Sequence, residues 1–174
     1  PPSAAAAFGH RDLSAARRLG RRGKQIMESE LTGYDIARYQ RQMMIQGWGE
    51  AGQRKIKNSK VFVIGAGGLG SPVSIYLAAA GVGEIRICDD DTVELSNLNR
   101  QILHPDDRIG VSKAVSAEKT LHEINPTISV SGISERLTED NAERIIGTPD
   151  LILDCLDNFD TRFLVNRYCV KHKI

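Results

Sequence analysis

A short apolar run, Val61-Phe62-Val63-Ile64, leads directly into Gly65-Ala66-Gly67-Gly68-Leu69-Gly70. A strand that feeds glycines at the first, third and sixth positions of a turn builds a seat for phosphate. Gly65 permits the tight exit from the strand, Gly67 lets the backbone approach an anion, and Gly70 lets the following helix lie close to the sheet. Unpaired amides and the positive dipole end at that helix N-terminus favour the phosphate. Asp89 stands nineteen residues past Gly70, at the end of a second strand, where a carboxylate accepts hydrogen bonds from ribose hydroxyls.

Hydride transfer from a dinucleotide would need little more than this, yet the chain carries further charges at matching places. Asp89, Arg100, Lys113 and Asp157 all fall at or just beyond predicted strand ends, and the C-terminal ends of parallel strands open into one crevice. Two cations there can meet a triphosphate, with a carboxylate left to hold Mg²⁺ through water. A lysine in the first turn of a helix opposes the helix dipole, so Lys113 invites an anion. Plainer readings stand beside these: Arg41 as a surface helix charge, Arg100 paired with Asp90 or Glu94, and Asp157 as a cap for the helix beyond Asn158.

The elements that must position these groups alternate. Asp35 is a candidate N-cap for an amphipathic helix with Ile36, Tyr39 and Met43 on one stripe, and a short helix follows over 50–57. Strands are expected over 61–65, 84–89, 128–133 and 151–155. Helices are expected from 70, over 113–124 (ended by Asn125-Pro126), over 138–146 and over 161–172. Strand–helix alternation implies a Rossmann-like, doubly wound, mainly parallel sheet with right-handed crossovers, preceded by the N-terminal helices. Four strands are fewer than such a domain usually holds, so the sequence reads as truncated after the fourth, with residues 34–174 forming an incomplete nucleotide-binding domain.

The 174 residues carry a net charge of +1. Residues 1–33 hold six Lys/Arg against three Asp/Glu, so the basic excess belongs to this stretch, which reads as a flexible leader or cloning remnant with a faint likeness to a mitochondrial presequence. The slightly acidic remainder gives no reason to expect nucleic acid as a partner. Cys88, Cys155 and Cys169 are isolated, a pattern that suits a reducing cytoplasm and small buried apolar side chains. No apolar run is long enough for a membrane span. His104, His122 and His172 have no ligand-spaced partners, so no zinc ligands are expected within this chain.

Six motifs in order, Arg38-Tyr-Gln-Arg41-Gln42, Gly65-Ala-Gly-Gly-Leu-Gly70, Asp89-Asp-Asp91-Thr-Val93, Ser96-Asn-Leu-Asn-Arg-Gln101, Gly110-Val-Ser-Lys113 and Asp154-Cys-Leu-Asp-Asn158, resemble those of the MoeB/ThiF adenylyltransferases, relatives of ubiquitin-activating enzymes. The resemblance spans about residues 34–174. It implies ATP and Mg²⁺ as cofactors, and attack by the C-terminal glycine carboxylate of a ubiquitin-like sulfur-carrier protein on the α-phosphate, for molybdopterin, thiamine or tRNA thiolation. Gly65, Gly67, Gly68 and Gly70 would hold the nucleotide together with Asp91 and Gln101. Asp89 would take its ribose, Asn97, Arg100 and Lys113 its phosphates, and Asp157 the Mg²⁺. Arg41 would reach across a homodimer as an arginine finger. The family's further strands, carrier-gripping loop, catalytic cysteine and paired CxxC zinc ligands have no counterpart in this sequence. The rival readings are an NAD-binding oxidoreductase, a non-catalytic dimer partner, and an enzyme that activates a small carboxylate or a tRNA base.

Overall fold

The computed structural model describes residues 29–174. The first 28 residues of the expected leader lie outside the described residues. Its last residues belong to the folded body: Glu30 pairs with Arg54 at 3.0 Å and the Ser29 amide donates to Asn58 at 2.7 Å.

Strand β1 (Lys60–Ile64) is apolar on both faces because it is covered on both, as a central parallel strand must be. It lies between β2 (Glu84–Cys88) and β4 (Leu151–Asp154), and β3 (Ser129–Ile133) pairs with the far side of β2, giving the all-parallel order β3-β2-β1-β4. Period-two alternation sorts the side chains into two cores. Val61, Val63, Ile85 and Ile87 pack with Ala78 of α3 (Gly70–Ala80) and with Ala117 and Leu121 of α4 (Lys113–Ile124). Phe62, Ile64 and Cys88 pack with Ile145 and Ile146 of α5 (Ala142–Ile146) and with Val165 and Tyr168 of α6 (Phe159–His172). The Rossmann-like expectation is met, including the edge position of β4, where Leu151 is exposed.

The chain leaves β1 toward β2 and returns from β3 to β4 on β1's other side, so the strand order reverses between β1 and β4. Crevices form outside the carboxyl ends of strands at such a switch. Gly70 closes α3 onto this point: a Cβ there would sit 1.8 Å from the Gly65 carbonyl oxygen, so no larger residue fits. Gly65 itself has φ +96, the left-handed region that glycine adopts without strain.

Three helix starts differ from expectation by two residues or more. Helix α1 (Gly33–Met43) is capped by Thr32, whose hydroxyl accepts from the Asp35 amide while the Asp35 carboxylate accepts from the Thr32 amide. Asp35 is thus the return half of a capping box and not the N-cap. The buried stripe of α1 runs through Asp35 and Tyr39 and leaves Ile36 exposed. Residues 138–141 form a turn, because the Asn141 side chain accepts from the Thr138 amide and donates to the Arg136 carbonyl, a local bond that competes with helix. Helix α6 starts at Phe159, two residues earlier than expected, because Asn158 accepts from the Thr161 amide.

Helices α1 and α2 (Gly49–Lys57) are tied by buried amides to the C-terminal end of α3. Gln42 and Gln53 both donate to the Ala80 carbonyl, at 2.8 and 2.9 Å, and Asn125 bridges the Tyr39 hydroxyl and the Ala78 carbonyl. These donors satisfy carbonyls that a helix end leaves open.

Candidate nucleotide site

A cavity of about 630 Å³ opens at the β1/β4 switch. Its floor is Gly65, Gly67 and Gly68, its flanks are Asp89 to Asp91 after β2 and Cys155 to Asn158 after β4, and Arg100, Gln101 and Lys113 line it from the connection beyond β2. The Gly67 and Gly68 amides donate to no protein acceptor among the described residues. A Cβ on Gly67 would meet no protein atom closer than 3.6 Å, so protein packing alone does not demand a glycine there.

Asp89 is half-buried. One carboxylate oxygen accepts from the Ala66 amide at 2.7 Å and the other from the Asp91 amide at 2.9 Å. Burial pushes its carboxyl above the ordinary value, against the pull of those two amides and of Lys113. Each oxygen keeps a further lone pair for a hydroxyl donor.

Lys113 is buried, and its ammonium donates to the exposed Asp91 carboxylate at 2.9 Å, while its backbone amide donates to the Asp91 carbonyl. Arg100 pairs with neither Asp90 nor Glu94. Its guanidinium donates to the Ser96 carbonyl and to Asn99, which holds its stem against Gly68. The Gln101 side-chain amide is buried, with Nε2 toward Gly67, and its Oε1 has no hydrogen-bond partner among the described residues.

Asp157 is exposed at the rim and accepts no hydrogen bond among the described residues, because Asn158 makes the α6 cap and the Asp154 carboxylate takes Arg162 and the Leu156 amide. This free carboxylate, facing the turn across the cavity, fits a hydrated divalent cation. Asp89, Asp90 and Asp91 also cluster, with carboxylate oxygens within 4.8 Å of one another.

Other expected residues lie elsewhere. Asn97 does not line the cavity: its carbonyl receives the Arg100 and Gln101 amides and its side chain receives the Glu94 amide, so it shapes the turn that presents Arg100. Gly70 sits behind the turn. Arg41, in the last turn of α1, is exposed and outside the cavity.

Sequence reasoning missed His104, noted there only for lacking a ligand-spaced partner. It is 4% exposed, with Nε2 2.9 Å from the Ala66 carbonyl and Nδ1 3.0 Å from the Ser116 hydroxyl. No short-range pattern signals contacts thirty-eight and twelve residues away. The stretch Glu135-Arg136-Leu137, which lines the wall beyond Asp89, was also unforeseen.

Burial disfavours the thiolate form of both thiols that line the cavity. Burial, with Asp89, Asp90 and Glu135 alongside, pushes Cys88 up to about 12, and burial also raises Cys155. Among the described residues, no helix is long and apolar enough to cross a membrane.

Known proteins are similar to this chain in sequence and in fold. The adenylyltransferase and sulfurtransferase MOCS3 of Drosophila sechellia is 49% identical over 144 residues, which is 83% of this chain and 32% of that protein. The adenylyltransferase and sulfurtransferase UBA4 of Lodderomyces elongisporus is 47% identical over 146 residues, 83% of this chain and 32% of that one. The chain therefore spans about a third of the length of the curated relatives it matches. The Escherichia coli tRNA N6-threonylcarbamoyladenosine dehydratase TcdA in complex with ATP superposes with a TM-score of 0.78 at 27% identity, covering 84% of this chain and 60% of that one. The ThiF family model matches residues 39–174. With the glycine turn, the paired cations and the free rim carboxylate converging on one switch-point crevice, the chain belongs to the ThiF family.

Proposed function

We propose that this chain is the ATP-binding part of an enzyme that adenylates the C-terminal glycine of a ubiquitin-like sulfur-carrier protein. The observation that carries the reading is the convergence of Lys113, Arg100 and the unpaired Gly67 and Gly68 amides on one cavity opposite Asp157. That set answers a triphosphate with its cation; an NAD-dependent hydride transfer leaves it without a task. ATP in the TcdA complex and the adenylyltransferase names of MOCS3 and UBA4 support the same chemistry.

In this reading Asp89 holds the ribose, and the glycine turn, Arg100 and Lys113 hold the phosphates. Asp157 anchors the Mg²⁺, whose charge would offset repulsion between the nucleophile and the phosphates. An oxygen of the carrier's terminal carboxylate attacks the α-phosphorus. The bond from that phosphorus to the bridging oxygen breaks, and pyrophosphate leaves with the electron pair. The attacking carboxylate is already ionised, so the chain supplies no base. It supplies positioning and positive charge. The protein acts as a cytoplasmic homodimer in which Arg41 serves the partner's site.

ATP–pyrophosphate exchange, with and without a sulfur carrier ending in Gly-Gly, tests this. Exchange that requires the carrier is expected, as is its reduction by about a hundredfold or more in Asp157→Ala. Carrier-independent exchange would reassign the substrate, and full exchange in Asp157→Ala would remove the metal role.

A further inference from the structure

We propose that His104 is a positioning residue of the nucleotide site: by holding the Ala66 carbonyl it aims the Gly67 amide at phosphate. The inference rests on the ATP reading above and assigns a task that the glycine turn cannot perform alone. Three glycines in four residues leave that turn with more freedom than a fixed anion seat allows, so something outside it must set its peptide planes.

The Ala66 carbonyl and the Gly67 N–H belong to one planar peptide group, and in a trans peptide they point in opposite directions. The carbonyl faces the interior, where it receives His104 Nε2 at 2.9 Å and, at a longer 3.4 Å, the Ser71 hydroxyl. The Gly67 N–H therefore faces the cavity. The preceding plane is fixed in the same manner, with the Ala66 amide on the Asp89 carboxylate at 2.7 Å. Two consecutive peptide planes of the turn are thus gripped by side chains from the segment after β2, one by a carboxylate and one by an imidazole.

A carbonyl only accepts, so Nε2 carries the proton and donates to Ala66. In the neutral ring Nδ1 then accepts from the Ser116 hydroxyl on α4. Both ring nitrogens are satisfied only in this tautomer. Burial lowers the tendency of His104 to take a second proton, and the neighbouring Lys113 and Arg108 cations reinforce that. The Ala66 bond and Asp89 act in the other direction, and the net displacement is downward. The ring is neutral at neutral pH, and its orientation is fixed by α4.

Two substitutions separate positioning from packing. His104→Gln keeps an N–H donor at about the reach of Nε2. His104→Asn puts its amide where Nδ1 lies and gives up Ala66. Titration of the 174-residue chain with ATP is expected to show about tenfold weaker binding in His104→Asn and less than about threefold weakening in His104→Gln. Equal affinity of His104→Asn and the unsubstituted chain, or equal weakening in both variants, overturns the proposal. The Gly67 amide resonance reads the same clamp without nucleotide: it should move in His104→Asn and stay near its place in His104→Gln. That pattern in a chain that takes up no ATP upholds the clamp and withdraws only the nucleotide reading, whereas unmoved resonances in both variants overturn the clamp. If His104→Asn does not fold, Ser116→Ala, which frees the ring at Nδ1 only, is expected to weaken ATP about threefold and to move the Gly67 resonance. No change in either overturns the proposal.

Discussion

Lys113 is the residue whose chemistry is most constrained by its surroundings. Its ammonium is buried while its partner carboxylate, on Asp91, is 69% exposed, so the pair is anchored on the lysine side and open on the aspartate side. A buried ammonium is costly without an anion beside it, and a phosphate entering the cavity offers a second one. Lys113→Ala should therefore weaken ATP binding by about ten- to a hundredfold, the worth of a charge-assisted hydrogen bond. Binding of NAD, which carries a diphosphate and no γ-phosphate, should barely change. Parallel calorimetric titrations with the two nucleotides check this, and equal weakening of both would return Lys113 to a structural role. The lysine was legible because a cation in a helix's first turn contradicts the dipole, and such a conflict marks a site. His104 carried no such mark: its meaning lies in a carbonyl and a hydroxyl brought to it by the fold.

Helix α1 shows what an element needs beyond its own pattern. The Asp35 carboxylate closes the capping box with Thr32 and also receives the Lys57 ammonium at 2.6 Å, so one side chain fixes both the start of α1 and its docking on α2. Burial alone would raise its carboxyl, but the bonds from Lys57 and Thr32 outweigh that and hold it below the ordinary value of 3.8. A folded-state value below the unfolded one stabilises the protein above the unfolded value, and that contribution is lost as pH falls through the folded one. Asp35→Ala should cost about 2 kcal/mol at neutral pH. The gap to the unsubstituted chain should shrink as pH drops from about 5 to about 2. Urea unfolding across that range measures it, and a gap independent of pH would mean that packing rather than charge is lost. The strands were legible because two apolar runs and two segments of period-two alternation, set between glycine and polar stops, admit few other readings. The start of α1 was misplaced because Thr32 and Asp35 are both good caps, and the choice between them depends on Lys57, twenty-two residues away. The helix expected over 138–146 shortened for a related reason, since Asn141 closes a turn that competes with it.

At the scale of the whole molecule, the role proposed for Arg41 sets how many chains a working site needs. Gln42, Gln53, Tyr39 and Asn125 lock α1 to the C-terminal end of α3, whereas the glycine turn lies at the N-terminal end. Eleven helical residues, about 16 Å, separate the two ends, and buried amide bonds leave α1 no hinge by which to bring Arg41 round to its own cavity. Next to it Met44 and Ile45 are exposed. In the homodimer proposed above, the two-fold has to bring each Arg41 to its partner's cavity. On that reading Arg41→Ala and Asp157→Ala are each nearly inactive in carrier-dependent pyrophosphate exchange, yet they fail in different sites. In an equimolar mixture half of the dimers are mixed, and each mixed dimer holds one site with an intact Asp157 and an Arg41 lent by its partner. Activity should recover to about a quarter of the unsubstituted level on random exchange of subunits. A mixture as inactive as its parents, with mixed dimers shown to form, would place Arg41 outside the reaction.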